Sequence, residues 1–357
     1  YYTFIYYKET DYKNATTKKL YQELMDSFTL SFDATDKQLK DIAVIQNGSV
    51  AVNEADYGLT FQLPYDWYKS FGEQSLSYSH RTEDYGLDIL MSSFAEGDTL
   101  EAWAARVEKR FKQEHGEAYR KVESAPDVVI DGSTAKVKYL AFTYGAADSW
   151  IEYYDVYLVK GNYRFNISFH YPLEDKAEVA KVIPGILSSI KIDMSKIEET
   201  FGFVDDIYDI DMDALRTLRN RTYNFTLKVP KYWVEGYAHD VNGYIQYNFN
   251  GGSYGIVIEE NKTLDQAVKE IRSELEDMKD YYDDLTIVED NATIFKGKSA
   301  RKIVYDQDSA GSKLRTDIIV FEHGGNGYAI ICGLLEGVRT PENMQRIEAV
   351  NASLTFQ

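Results

Sequence analysis

Cysteine is almost absent from this sequence, which has one, Cys332, in 357 residues. One thiol cannot form an intrachain disulfide bond, and its place in the apolar run 328–333 predicts a small buried side chain. No stretch reaches the roughly 18 apolar residues that a membrane-spanning helix needs. Low cysteine content fits both the cytosol and exported bacterial proteins, so it leaves the compartment open.

Basic residues are also scarce, since 39 Lys+Arg face 58 Asp+Glu and give a formal net charge of −19. A negative surface repels phosphate groups, which argues against nucleic acid as a partner. Anionic membrane surfaces are disfavoured for the same reason. The simplest consequence of this charge is solubility.

The sequence contains an internal repeat, and its clearest part is a strand that ends at a proline. Residues 59–67 and 225–233 are both short alternating segments in which a tryptophan follows the proline by three positions. Such alternation is typical of half-buried strands. The matched residues are Pro64 with Pro230 and Trp67 with Trp233.

Further elements recur in the same order. Tyr-Gly pairs at 85–86 and 254–255 are predicted turns that lead into strands. Helices are then predicted at about 100–115 and 264–282, because their apolar residues follow helical spacing. Thr99 and Thr263 precede these helices and are predicted N-caps.

Two hairpins and a closing helix complete each copy. Gly132 and Gly297 are predicted glycines of the first hairpin turn. The second hairpin is predicted at 160–163 and 325–328. Each copy then ends with an amphipathic helix that runs into a serine and an apolar residue, Ser189-Ile190 or Ser353-Leu354.

The N-terminus carries the end of a further copy. Tyr2 and Ser27 have nearly the spacing that separates Tyr163 from Ser189, with a predicted strand at 3–6 and helix at 17–28. One strand and one helix cannot bury a core alone. Either an upstream part completes this copy or the piece docks on the next copy, and we favour the former.

This pattern divides the chain into five segments. The prediction is a truncated repeat (1–32), a joining segment (33–56), a full repeat (57–195), an acidic and helical joining segment (196–222) and a second full repeat (223–357). Within the second joining segment, a short helix is predicted at 212–219.

The order of these elements resembles that of the PsbP-like superfamily. That superfamily includes the photosystem II extrinsic protein, the Ran-binding Mog proteins and many bacterial lipoproteins of unknown role. The resemblance covers both full copies and implies an α+β fold, with an antiparallel sheet covered by helices in an α/β/α sandwich. It implies a non-enzymatic role only loosely, because fold does not fix function.

Three short segments resemble motifs of catalytic or ligand-binding sites. Residues 251–255 match the nucleophile elbow G-x-S-x-G, but a β-type run follows, so a hairpin turn is favoured. Residues 209–213 resemble the start of a calcium loop but lack its later glycine and glutamate, which favours a solvated linker over weak divalent-ion binding. The glycine-rich stretch 324–327 joins two strands and is predicted to be a turn.

The five histidines show no metal-ligand spacing. His80 and His239 lie at similar places in their copies, where surface histidines are favoured over a shared site. The sequence therefore predicts no catalytic residue, cofactor or metal, and no enzyme.

Tyrosine is unusually abundant, with 30 residues and adjacent pairs at 1–2, 6–7, 153–154 and 281–282. In a strand such a pair places one ring on each face, so exposed rings can contact proteins or sugars, although tyrosine also simply suits half-buried strands.

The predicted function is a non-catalytic extracytoplasmic protein, secreted or held at a bacterial surface by an upstream lipid anchor, that binds a protein through tyrosines. The alternative is a small-molecule or carbohydrate-binding protein with a cleft between repeats, which aromatic residues lining that cleft would favour.

Overall fold

A computed structural model describes residues 15–27, 48–72, 75–145, 150–206, 209–236, 243–279, 284–309 and 311–357. The chain divides into two compact units, Tyr1–Gly48 and Ser49–Gln357. In the first unit, helix α1 (Ala15–Asp26) covers most of the predicted helix 17–28. The strand predicted at 3–6 and the tyrosine pairs at 1–2, 6–7 and 281–282 lie outside the described residues.

The second unit begins with a complete α+β module. Its strands are β1 (Ser49–Glu54), β2 (Leu59–Pro64), β3 (Trp67–Ser70), β4 (Leu76–His80), β5 (Gly86–Ser93), β6 (Arg120–Ile130), β7 (Ser133–Phe142), β8 (Ile151–Lys160), β9 (Tyr163–Pro172) and β10 (Lys191–Ile192). Its helices are α2 (Leu100–Glu114), α3 (Lys176–Val179), α4 (Ile183–Ser189) and α5 (Met194–Thr200). We call it the first repeat.

The same order of strands follows in the second repeat. Its strands are β11 (Leu215–Asn220), β12 (Phe225–Pro230), β13 (Val234–Glu235), β14 (Tyr244–Phe249), β15 (Gly252–Glu259), β16 (Thr286–Phe295), β17 (Lys298–Ser309), β18 (Ser312–His323), β19 (Asn326–Leu335) and β20 (Thr355–Phe356). Its helices are α6 (Leu264–Met278) and α7 (Pro341–Ser353).

Both repeats have one topology. The seven-stranded sheets run β3-β4-β5-β9-β8-β7-β6 and β13-β14-β15-β19-β18-β17-β16, and the three-stranded sheets run β1-β2-β10 and β11-β12-β20. All these pairings are antiparallel. The predicted fold class, tandem α+β modules with antiparallel sheets covered by helices, is confirmed.

The recurring serines have a structural role. Ser189 Oγ accepts a hydrogen bond from the backbone N–H of Gln62 at 2.8 Å, and Ser353 Oγ accepts one from Lys228 at 2.8 Å. Each serine thereby joins the end of the closing helix to the strand that ends in proline. Because the contact needs a small hydroxyl at one place, the residue recurs in both copies.

Local signals placed the long helices. The Thr99 hydroxyl accepts from Ala102 N at 3.1 Å, and Thr263 forms a capping box with Gln266, so both predicted N-caps are confirmed. The first hairpin turns at Asp131-Gly132 and Lys296-Gly297 have positive φ at both positions, which a two-residue hairpin loop requires.

Three local predictions are corrected. The helix predicted at 212–219 is wrong, because residues 215–220 form strand β11, paired with β12. The Tyr-Gly pair 254–255 lies inside β15 and not in a turn. The second hairpin of the second repeat turns at Gly324-Gly325, slightly before the predicted stretch 325–328.

Each seven-stranded sheet has two different faces. The inner face packs on the three-stranded sheet and closing helix of its own repeat, forming the main core. The outer face is covered by the long helix, α2 or α6. Cys332 is buried in β19, as predicted, and burial raises the pKa of its thiol to about 12. Within the described ranges, no helix is both long and apolar enough to span a bilayer.

Candidate functional site

Helix α2 touches the outer face of the first sheet mainly near its two ends. Near the start of the helix, the Trp103 ring meets Tyr157 edge-on with centroids 5.1 Å apart. Near its end, Phe111 meets Phe142 at 6.2 Å. These contacts form two separate apolar clusters. The sheet between them carries polar side chains.

We call these polar side chains the floor: Asp88, Asp155, Asn166 and Ser168. Ser168 on β9 is paired across the sheet with Asp155 on β8 and with Asp88 on β5, so the three lie side by side on one face. Asn166 lies two residues before Ser168 on the same strand and therefore on the same face.

Asp155 is the most unusual member of the floor, because it is 6% exposed and carries a carboxyl group. Tyr157 donates a hydrogen bond to its Oδ2 at 3.0 Å, whereas Oδ1 has no hydrogen-bond partner. Burial raises the pKa of Asp155, although hydroxyl groups of Ser168 and Tyr157 oppose the rise. Asn166 Oδ1 is likewise buried without a partner.

Asp88 lies nearer the solvent and is held ionised. Burial acts to raise its pKa, but interactions with His170 and Ser77 outweigh burial and lower it. Ser77 Oγ donates to Asp88 Oδ1 at 2.5 Å, and His170 Nδ1 lies 3.4 Å from Oδ2. The floor thus combines one ionised carboxylate with a second whose ionisation is opposed by burial.

A cavity of about 790 Å³ lies between this floor, helix α2, Asp206 and the segment 209–213. This volume falls within the roughly 300–1,000 Å³ typical of small-ligand pockets. The aromatic residues that line it are Trp103, Phe111, Phe142, Tyr144 and Tyr153. Asn250 of the second repeat also lines it, so the cavity reaches the junction of the repeats.

His115, which ends α2, connects the cavity to the second repeat. It is 1% exposed, and burial followed by the charge of Arg120 lowers its pKa to about 4. Tyr144 donates its hydroxyl to Asn250 Oδ1, and Asn250 Nδ2 lies 3.3 Å from His115 Nε2. We therefore assign the proton of the neutral ring to Nδ1, which has no partner.

The second repeat also holds the end of α2. The last carbonyls of a helix have no partner within it. Here Thr340 Oγ1 donates to Gln113 O at 2.9 Å, and Asn343 Nδ2 donates to Glu114 O at 3.2 Å. Thr340 also caps the start of α7. The helix that covers the cavity is therefore held in place by the second repeat.

Backbone contacts complete the junction. Gly116 N donates to Gly337 O at 2.8 Å, and Gly337 N donates to Tyr144 O at 2.9 Å. A Cβ atom on Gly337 would lie 2.3 Å from Thr143 O, which no side chain tolerates. The two main chains meet so closely that position 337 must be glycine.

The acidic segment 205–213 is bound to the first repeat by arginines. Arg164 reaches Asp206 at 2.8 Å and Asp209 at 2.9 Å, and Arg106 reaches Asp209 at 2.8 Å and Asp98 at 2.6 Å. The solvated linker or helix cap predicted for 209–213 is wrong for Asp209, which is ion-paired with Arg106 and Arg164. In the parts of the chain that the structure describes, no three His, Cys, Asp or Glu side chains form a metal-binding group.

The other sequence motifs lie away from the cavity floor. Gly251 occupies the turn between β14 and β15, and residues 252–255 continue in β15, which confirms the hairpin interpretation of 251–255. Gly324 and Gly325 form a turn as predicted. His80 Nε2 lies 3.0 Å from Asp66, and His239 lies outside the described residues.

Tyrosines contribute to the interior more than to the surface. Among the tyrosines whose side chains are described, Tyr68 alone is strongly exposed. In the pair 153–154, Tyr153 lines the cavity and Tyr154 is buried on the opposite face of β8. The tyrosine-rich contact surface predicted from the sequence is therefore not found in the described regions.

A sequence signal for this site lies on two strands of the first repeat. Asp155, Asn166 and Ser168 occupy outward positions of strands whose other face is apolar. Counted from the second hairpin turn, the corresponding residues of the second repeat are Ile318, Ala329 and Ile331. Polar residues at covered positions in one copy alone mark the face where the copies differ.

A scan against protein-family models finds no match, and a search of curated proteins finds no significant similarity. Solved structures do match. PsbP of Synechocystis sp. PCC 6803 is 12% identical with a TM-score of 0.33, and the match covers 42% of this chain and 95% of that protein. The Ran-binding protein Mog1p of Saccharomyces cerevisiae is 12% identical with a TM-score of 0.32, covering 42% and 98%.

A longer match is the immunity protein TplEi of Pseudomonas aeruginosa, which is 7% identical with a TM-score of 0.26 and covers 86% of this chain and 97% of that protein. PsbP and Mog1p each span about the length of one repeat. This length fits the PsbP-like resemblance of each repeat, and at these values the matches carry no argument about function.

Proposed function

We propose that this protein binds a small organic molecule in the cavity between α2 and the first seven-stranded sheet. One observation carries the proposal. Two buried oxygens on the floor, Asp155 Oδ1 and Asn166 Oδ1, have no hydrogen-bond partner among the described residues. Buried polar atoms are nearly always paired, and leaving them unpaired is costly. A cavity beside such atoms suits a ligand that supplies the missing donors.

Aromatic walls support the same function. Trp103, Phe142 and Tyr153 offer flat apolar surface close to the polar floor, which is the usual composition of small-ligand sites. The sequence-based alternative, a cleft between repeats lined by aromatic residues, is the one that this cavity favours. Most of the cavity belongs to the first repeat, and the second repeat supplies Asn250 and holds α2.

Binding of a protein partner, the first function predicted from the sequence, stays a prediction, since the described surface exposes few tyrosines. An extracytoplasmic location and the absence of catalysis also stay predictions.

A screen of small polar and aromatic fragments by ligand-observed NMR tests the proposal. We expect hits that bind with 1:1 stoichiometry and that are lost in the double variant Asn166→Ala/Ser168→Ile. This variant gives the floor two residues of the kind that the second repeat has there, Ala329 and Ile331. It removes an unpaired oxygen but also the Ser168 hydroxyl that opposes the rise in the pKa of Asp155, so urea unfolding measured beside the wild type checks that the variant is folded.

The control is Ile331→Val, a conservative change at the matching position of the second repeat, which should leave every hit unchanged. The proposal is wrong if no fragment of any charge binds more tightly than about 1 mM. It is equally wrong if the hits bind the double variant as well as they bind the wild type.

A further inference from the structure

The charge around the cavity narrows the class of ligand. Its lining includes seven acidic and three basic side chains. Two of the basic residues, Arg106 and Arg110, form ion pairs at 2.6 Å with Asp98 and 3.0 Å with Glu114. A site with an excess of carboxylates and low-dielectric walls attracts cations and repels anions.

The floor offers acceptors in the arrangement that a primary ammonium group needs. An ammonium carries three N–H donors and no acceptor. Asp88 and Asp155 flank Ser168 on three neighbouring strands, so their Cα atoms are roughly 10 Å apart at the usual strand spacing. A nitrogen above Ser168 lies between the two carboxylates, with Asn166 Oδ1 close by on the same strand.

The aromatic walls fit the remainder of such a molecule. Trp103 and Phe111 bound the cavity on the helix side, and Phe142 bounds it on the sheet side. Faces of aromatic rings attract cations, and they also pack against apolar groups. Arg164 already uses this attraction, since its guanidinium lies 5.0 Å from the centroid of the Trp103 ring.

We infer that the ligand is a primary or secondary amine, protonated at neutral pH and attached to an aromatic or aliphatic group, whose ammonium is bound by Asp155, Asp88 and Asn166. The inference rests on the proposed function and names its ligand class. A bare divalent metal ion fits less well, because no group of three His, Cys, Asp or Glu ligands is found in the described ranges.

Matched probes test the class. The three compounds are 2-phenylethylamine, 2-phenylethanol and 3-phenylpropanoate, which share a phenyl ring and differ in charge, and isothermal titration calorimetry of the whole chain measures each dissociation constant. We expect the amine to bind at least about tenfold more tightly than the alcohol, and the carboxylate not to bind.

Two variants assign the effect to the floor. Asp155→Asn keeps the shape and an acceptor for Tyr157 but removes the charge, so we expect it to weaken amine binding at least about tenfold and to leave binding of the alcohol within about twofold. Asp127→Asn is the matched control, because it removes one negative charge from an exposed ion pair with Lys136, which lies outside the cavity lining. Amine binding should not change in this control.

The outcomes separate the two proposals. The ligand class is wrong if the alcohol or the carboxylate binds as tightly as the amine, or if Asp155→Asn leaves amine binding intact. It is also wrong if amines do not bind and if the hits lost in Asn166→Ala/Ser168→Ile are neutral or anionic fragments. In that case the proposal that the cavity binds a small molecule still holds. When no compound of any charge binds, both proposals fail.

Discussion

The two repeats share a topology but differ on one face of one sheet. Their inner faces are both apolar and both pack on a three-stranded sheet. On the outer face, the second repeat has a continuous apolar layer, in which Ile271 and Leu275 of α6 pack with Ile303 and Ile318 of the sheet. The first repeat has two separate clusters with the polar floor between them.

This difference shows where a repeated fold can change without losing stability. The inner core fixes the position of every strand, so the helix on the outer face is free to exchange apolar packing for a cavity. The first repeat then relies on its neighbour, because Thr340 and Asn343 hold the end of α2. One copy supplies most of the cavity lining, and the other supplies support.

Placing a carboxyl group at the matching position of the second repeat should have the largest effect on stability. Ile318 is 3% exposed in the apolar layer, and Ile318→Asp places an unpaired carboxyl there. We expect a loss of about 4 kcal/mol or more in the free energy of unfolding, measured by urea denaturation. Asp155→Asn at the matching position should change it by no more than about 1 kcal/mol. Similar costs for the two variants would contradict the comparison.

Shortening one side chain in each covering helix should show the same contrast in stability, with smaller losses. Ile271 in α6 and Val107 in α2 occupy matching positions after their N-cap threonines. Ile271→Ala should cost about 3 kcal/mol, because it leaves a void in a closed layer. Val107→Ala should cost about 1 kcal/mol, because Val107 is half-buried beside an existing cavity. Equal costs in thermal or urea unfolding would show that α2 packs as tightly as α6.

The support given by the second repeat can be removed by Asn343→Ala. Two hydrogen bonds from Asn343 Nδ2, to Glu114 O and Val338 O, would be lost. We expect a cost of about 2 kcal/mol and faster amide hydrogen exchange in the last turn of α2. Asn351→Ala is the control, since it removes a side-chain hydrogen bond of the same helix, from Tyr254, that stays within the second repeat. If amide hydrogen exchange in α2 is unchanged in Asn343→Ala, the hydrogen bond from the second repeat does not stabilise the end of α2.

The pH dependence of stability should distinguish the repeats through Asp155. Because burial raises its pKa, the folded chain binds the proton at pH values where the unfolded chain has lost it. Stability from this group is therefore complete below the ordinary aspartate pKa and is lost as pH rises through the raised value. The unfolding free energy of Asp155→Asn relative to wild type should increase over that window. A pH-independent difference would place Asp155 in a solvated setting.

The smallest losses of stability are expected at the closing serines, whose hydrogen bonds are the same in both repeats. Ser189→Ala and Ser353→Ala each remove a 2.8 Å bond to a strand N–H, so both should cost about 1 kcal/mol. Urea unfolding of the two single variants should agree to within experimental error. A large difference between them would mean that the inner cores are less alike than their topology.

Local patterns predicted most of the fold. Helix periodicity, the N-cap threonines and the hairpin glycines act through neighbours in sequence, and these predictions are confirmed. The helix predicted at 212–219 is wrong because the spacing of Leu215 and Leu218 also occurs in helices. Pairing of Leu218 with Leu227 of β12 makes the segment a strand. Such pairing depends on a partner distant along the chain.

Local sequence patterns did not predict the cavity floor, for a related reason. Asp155 and Ser168 become neighbours only through the register of β8 and β9. The hairpins predicted at 160–163 and 325–328 are also two positions out of register, since the structure aligns Tyr163 with Asn326 at the hairpin turn. In that register the polar residues of the first copy do not align with the apolar residues that replace them.

Gly337 sets the distance between the repeats, because its backbone lies against Thr143 and Tyr144 with no room for a methyl group. An alanine there would act as a wedge, tilting one repeat away from the other and lifting the end of α2 from the sheet. The spacing between the end of α2 and the sheet is therefore set from the neighbouring copy, by a residue outside the cavity lining.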